Sequence, residues 1–176
     1  MRQLKNLNVH KSINTKSLIF EENFGDKLDR ITIYLFFTYF GIMPYLYADF
    51  SKDNQNIYYF ISSLLSLFCL YVVYRKATEK NLNKIETFNS LEINREIINN
   101  YCKQKGYQKQ RNSNNILIYI EENPYTLSNS YHTSRIFLLD NNDVYFTIIK
   151  DNFRLNIPVL ISQIILKSDM KKIFKK

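Results

Sequence analysis

Ile31 to Ala48, ITIYLFFTYFGIMPYLYA, and Ile57 to Tyr74, IYYFISSLLSLFCLYVVY, are two stretches of 18 residues without a charge. The first lies between Arg30 and Asp49, the second between Asn56 and Arg75. A helix of that length is about 27 Å long, close to the roughly 30 Å hydrocarbon core of a bilayer. Eight residues separate the stretches, room only for a tight turn. The reading is a helical hairpin that crosses a membrane and returns. A soluble helical protein can also bury an apolar pair of helices. It would need a large shell to do so, and the remaining sequence, polar and broken by Asn-rich turns, does not supply one. A signal peptide fits poorly, since the first run starts only at residue 31 and a second follows it.

The basic residues beside the stretches set an orientation. Arg2, Lys5, Lys11, Lys16, Lys27 and Arg30 precede the first, and Arg75, Lys76, Lys80 and Lys84 follow the second. The connection carries only Lys52, flanked by Asp49 and Asp53. Both termini are therefore expected on the cytoplasmic side of a bacterial inner membrane, with the short loop outside. The frequent use of Asn, 21 residues spread over turns, points to an AT-rich bacterial genome rather than a low-complexity tract. Tyr45, Tyr47, Tyr58, Tyr59, Tyr71 and Tyr74 fit the two interfacial belts.

Neither stretch holds an Asp, Glu, His, Lys or Arg, which argues against a secondary transporter or proton relay. Ser62, Ser66 and Cys69 recur at i, i+4 and i+7 and line one helix face. Small polar residues permit close helix approach, so this face meets either the other helix of the hairpin or a neighbouring subunit. Gly41 and Pro44 mark a thin point or kink in the first span.

The chain has a net charge of +8. From Arg75 onward there are 17 Lys and Arg against 10 Asp and Glu, so most of the excess lies beyond the hairpin. Such a surface suits an anionic leaflet, and equally an anionic ligand such as a nucleotide. The final KKIFKK reads as a solvated or membrane-touching tail.

Four segments follow: a cytosolic N-terminal segment (1–30), the two-helix transmembrane hairpin (31–74), a juxtamembrane helix continuing the second span (75–90), and a basic α+β cytosolic domain with an antiparallel sheet (91–176). Residues 91–105 read as an amphipathic helix with Ile93, Ile97, Ile98, Tyr101 and Cys102 on one face, closed by Gly106. The runs 116–120, 135–139 and 144–149 are rich in β-branched and aromatic residues, and read as strands. Asn141, Asn142 and Asp143 mark a hairpin turn between the last two. Residues 159–166 fit strand or helix, and Ser168 is placed as the cap of a terminal helix over 169–176.

The inventory of chemistry is mostly negative. Gly25, Gly41 and Gly106 are far apart, which excludes a phosphate-cradling glycine loop. Cys69 and Cys102 fit no zinc spacing, and only His10 and His132 could act as bases. No metal, no cofactor and no enzymatic activity are expected. The most suggestive segment is Asn129 to Arg135, where Tyr131, His132, Thr133, Ser134 and Arg135 gather hydroxyls, an imidazole and a guanidinium. It can bind phosphate, with Tyr131 stacking on a base, or it is simply a polar loop entering a strand. Lys105, Lys109 and Arg111 form a second basic group (with Lys103), and Arg154 comes from a later turn near Lys150.

The hairpin at 31–74 followed by a basic α+β domain at 91–176 resembles the two-span membrane effectors of bacterial antiviral signalling, such as the ancillary membrane proteins of type III CRISPR systems. The likeness is one of architecture, size and charge; the sensor patterns of those systems are not present. It implies a non-enzymatic effector, a homo-oligomer whose cytosolic domains bind a cyclic oligonucleotide and whose spans perturb the bilayer. The alternative is a membrane-anchored immunity or interaction protein that grips a partner protein.

Overall fold

The computed structural model describes residues 4, 6–46, 55–113, 115–122, 132–151 and 158–175. In chain order the elements are α1 (Val9–Thr15), α2 (Phe24–Leu46), α3 (Gln55–Ala77), β1 (Asn83–Glu86), α4 (Leu91–Gln104), β2 (Gln108–Ser113), β3 (Ile116–Glu122), β4 (His132–Asp140), β5 (Asp143–Asp151) and α5 (Ser162–Phe174). They divide into two compact units. One takes residues 1–21, 79–154 and 159–176; the other takes 22–78 and 155–158.

The first unit is an α+β fold on an antiparallel five-stranded sheet of order β1-β5-β4-β3-β2. Its central strands are covered on both faces, so they read as continuous apolar runs rather than as alternation. One face carries Leu117, Tyr119, Phe137, Leu139, Val144, Phe146 and Ile148, packed on Ile98, Tyr101 and Cys102 of α4 and Leu166 and Met170 of α5. The other carries Ile116, Ile118, Ile136, Leu138, Tyr145 and Ile149, packed on Leu18, Leu82 and residues of α1. The β4–β5 turn falls at Asn141, whose φ of 49° is a left-handed conformation that Asn tolerates better than most residues. Gly106 ends α4 at φ 72°, and the Ser90 side chain accepts from the Ile93 amide at its start.

β1 covers β5 only as far as Phe146. Beyond it the Ile148 amide of β5 donates to the Gln163 side chain, at Oε1, 2.9 Å away, and the Thr147 hydroxyl of the same strand donates to the Glu79 carbonyl at 3.0 Å. Gln163 is thus a buried polar residue with a structural task.

The second unit is the pair α2 and α3, each of 23 residues, running antiparallel. Ser66 Oγ donates to the Gly41 carbonyl at 2.6 Å, and a Cβ on Gly41 would meet the Cys69 Cβ at 3.3 Å. The Ser62–Ser66–Cys69 stripe therefore serves packing within the hairpin. Tyr58 caps the end of α2 by donating to the Pro44 carbonyl at 2.5 Å. At the opposite end, Lys76 is fully buried with Nζ 3.7 Å from Asp29 Oδ2, and Arg30 pairs with Glu22.

Among the described residues one helix is long and apolar enough to cross a membrane, Asn56–Ala77, 22 residues, and only 17% of its apolar 18-residue window is buried. Within α2 the described uncharged run ends at Leu46, two residues short of the stretch read from sequence, and Asp29 and Arg30 stand at its start.

Several expectations are corrected. The juxtamembrane helix over 75–90 is absent: α3 stops at Ala77 and β1 follows at Asn83–Glu86. Asn81 and Asn83 favour turns, and Ile85 alternates with exposed neighbours as a short strand requires. The N-terminal segment is not separate. Leu18 belongs to the core under the sheet, and its amide donates to the Lys80 carbonyl. α2 begins at Phe24, before the apolar run, because its charged first turns continue the helix. Ile93 is exposed rather than on the packed face of α4. Residues 162–174 form one helix, so Ser168 lies inside it and caps nothing.

Candidate functional site

The run from His132 to Arg135 is strand rather than loop, so its side chains alternate between faces. Arg135 sits opposite Tyr119 and Thr133 opposite Glu121, on the side that carries Phe137. Ser134 sits opposite Ile120 and Ile149, on the other side. His132 is placed opposite Glu122 and Asp151. Tyr131 and Arg154 lie outside the described residues.

The second basic group divides in the same way. Lys109 pairs with Tyr119 and Arg111 with Ile118, across an irregularity that takes up Gln110. Lys109 is therefore on the face of Arg135, and Arg111 on the opposite one. Both belong to an edge strand whose residues Gln108 to Asn112 are exposed.

Around Arg135 the structure builds a polar cluster inside the α4-covered face. The guanidinium lies 3.7 Å from the centroid of the Tyr107 ring, and Nη2 donates to Glu121 Oε2 at 2.6 Å. Nη1 is buried and has no hydrogen-bond partner among the described residues. Tyr107 meets Tyr101 edge to face at 6.3 Å. Tyr101 donates to Asp169 Oδ2 at 2.9 Å, and Lys105 Nζ lies 3.5 Å from the same oxygen. Lys105 thus joins the margin of the cluster, bound to an acid.

Burial sets the protonation states. It pushes the Cys102 thiol up to about 12, against the opposing pull of the Arg135 charge. Cys102 stays a protonated core thiol and no nucleophile. Burial raises Tyr101 as well, helped by the hydrogen bond to Asp169. Tyr107 is raised by burial, with Arg135 working the other way. These groups remain neutral around pH 7. The cluster offers a stacked cation with spare donor capacity, and its two carboxylates, Glu121 and Asp169, are engaged by Arg135 and by Tyr101 and Lys105. Tyr107, Glu121 and Asp169 were not read from sequence, since only strand register and the α5 packing bring them to Arg135.

Apart from this cluster, a cleft of about 700 Å³ is lined by Val9, His10, Ile13, Asn14, Ser113, Asn115, Ile116 and Asp140. It carries no Lys or Arg, and none of the residues singled out for anion binding. Among the described residues no group of three or more His, Cys, Asp or Glu could hold a metal ion. No protein-family model matches the chain, and no curated protein or solved structure matches it.

Proposed function

We propose that this is a non-enzymatic, two-span protein of the bacterial inner membrane whose α+β unit is an interaction module on the cytoplasmic side. The observation that carries the reading is a closure within the α+β unit. The Leu18 amide donates to the Lys80 carbonyl at 2.9 Å, and the Leu82 amide to the Lys16 carbonyl at 2.9 Å. The chain entering α2 and the chain leaving α3 therefore start from one place and one side. If α3 crosses a bilayer, the segment 22–78 must cross an even number of times, and α2 is the partner span. The outward apolar side chains of both helices support this, including Leu35, Phe36, Phe60, Leu64, Leu67 and Leu70.

Membranes of expressing cells should retain the protein through alkaline carbonate washing. A membrane-impermeant maleimide should label Lys52→Cys from outside intact spheroplasts, and Lys11→Cys only after lysis. Release by carbonate, or labelling of Lys11→Cys from outside, would sink the reading.

A partner protein is preferred as ligand because the basic candidates divide between two sheet faces. The Arg135 cluster favours a second reading, an oligomeric antiviral effector whose spans respond to a cyclic oligonucleotide. Here the buried Nη1 and the Tyr107 ring would meet a phosphate and a base after the cluster opens. Calorimetric titration of the full chain in micelles, at low salt, with cyclic di-, tri- and tetranucleotides decides it. On that reading one ligand binds, and Arg135→Lys weakens it about tenfold, or ~1.4 kcal/mol. Absence of heat with the whole panel removes the second reading and leaves the first.

A further inference from the structure

α5 packs on the sheet through Leu166 and Met170, with Gln163 beside them. At 100° per residue, its opposite side presents Ile161, Ile164 and Ile165 at the start and Lys171, Lys172 and Lys175 at the end. All six are exposed, the three isoleucines by more than half. The one acid of the helix, Asp169, is turned inward to Tyr101 and Lys105, so it does not offset the lysines. A helix at the surface of a soluble fold needs only one apolar stripe, and α5 has already used one on the core. The second stripe, divided into an isoleucine half and a lysine half, has the chemistry of an interfacial membrane helix.

We propose that the outer face of α5 docks on the anionic surface of the membrane that holds the spans. The isoleucines enter the headgroup boundary and the lysines lie among anionic headgroups. The charge pattern favours lipid over a protein surface. Basic groups at the end of a long aliphatic stem suit a fluid anionic layer, and the tether at Thr78–Glu79 keeps such a layer within reach. The inference rests on the membrane reading above, and the test separates the two.

The full chain would be placed in nanodiscs of phosphatidylcholine alone or of equimolar phosphatidylcholine and phosphatidylglycerol, each with a spin-labelled lipid. An environment-sensitive fluorophore is attached in turn at Ile164→Cys, Leu64→Cys in α3, and Arg111→Cys on β2; the native Cys69 and Cys102 are buried. The Leu64 label should be quenched in both discs and the Arg111 label in neither. The Ile164 label should be quenched at least about threefold more in the anionic disc, with the difference shrinking as salt shortens the Debye length from about 10 Å to about 3 Å. Combining the label with Lys171→Glu, Lys172→Glu and Lys175→Glu should return it to the Arg111 level. An Ile164 label that stays unquenched, or is quenched equally in neutral discs, overturns the lipid docking while a quenched Leu64 label leaves the spans standing. An unquenched Leu64 label overturns the spans themselves. An Ile164 label shielded only when copies associate assigns the face to protein and also overturns the proposal.

Discussion

Phe137→Ala is expected to remove a large share of the stability of the α+β unit. Phe137 has no exposed surface and lies in the middle strand of the sheet, opposite Leu117 and Phe146. Its ring stands 6.3 Å from that of Tyr119, edge on, and 6.5 Å from that of Phe146. Truncation forfeits these contacts and leaves a cavity between the sheet and α4, a loss of about 3–5 kcal/mol. Domains of this size hold only about 5–15 kcal/mol in total. The melting temperature of the unit should fall by more than about 12 °C, followed by near-ultraviolet circular dichroism. Phe137→Leu, which keeps most of the volume, should cost less than about 2 kcal/mol. Equal melting of the Ala and Leu variants would mean that this face is not the core.

The second large effect belongs to the helical pair. Lys76 is wholly buried, and Asp29, 13% exposed, stands 3.7 Å from its ammonium. Asp29→Ala takes the carboxylate away from a buried ammonium, which is expected to cost about 1–3 kcal/mol. Asp29→Ala combined with Lys76→Met should recover most of that, because the methionine fills the same space without a charge. Unfolding of the detergent-solubilised protein in a graded dodecyl sulfate titration reads both. A double variant as unstable as Asp29→Ala alone would show that the two residues are not coupled.

The parts of the fold that were legible in the sequence are those whose burial is written as apolar runs. Val144 to Ile149 and Ile116 to Ile120 are covered on both faces, and their composition announces it. α4 was legible from its apolar period and from Gly106, which stands where a positive φ is needed, whereas its cap Ser90 was read as the end of a preceding helix. β2 was missed because an edge strand without apolar residues has no alternation to read. β1 was missed because four residues are too few to show a period against the preceding helix. The candidate site suffered from the reverse effect. Thr133, Ser134 and Arg135 are adjacent in sequence and look like a cluster, but a strand sends neighbours to opposite faces. The residues that do surround Arg135 come from β3, from the end of α4 and from α5, and no spacing in the chain joins them.

The bridge between Ser17 and Asn81 has a consequence for how the protein is made. Residues 4–20 leave the ribosome before the hairpin, yet the sheet face that they cover is not synthesised until after it. The core with Leu4, Leu7, Val9, Ile13 and Leu18 must wait, so the N-terminal strip stays uncovered while α2 and α3 are being placed. A chain started at residue 79 would never recover that strip, and would expose Ile118, Ile136 and Leu138 to solvent. The intervening segment acts as a closed loop whose entropic cost rises only with the logarithm of its length. Its length is therefore lightly constrained by the α+β unit, provided that its two ends return to the same point.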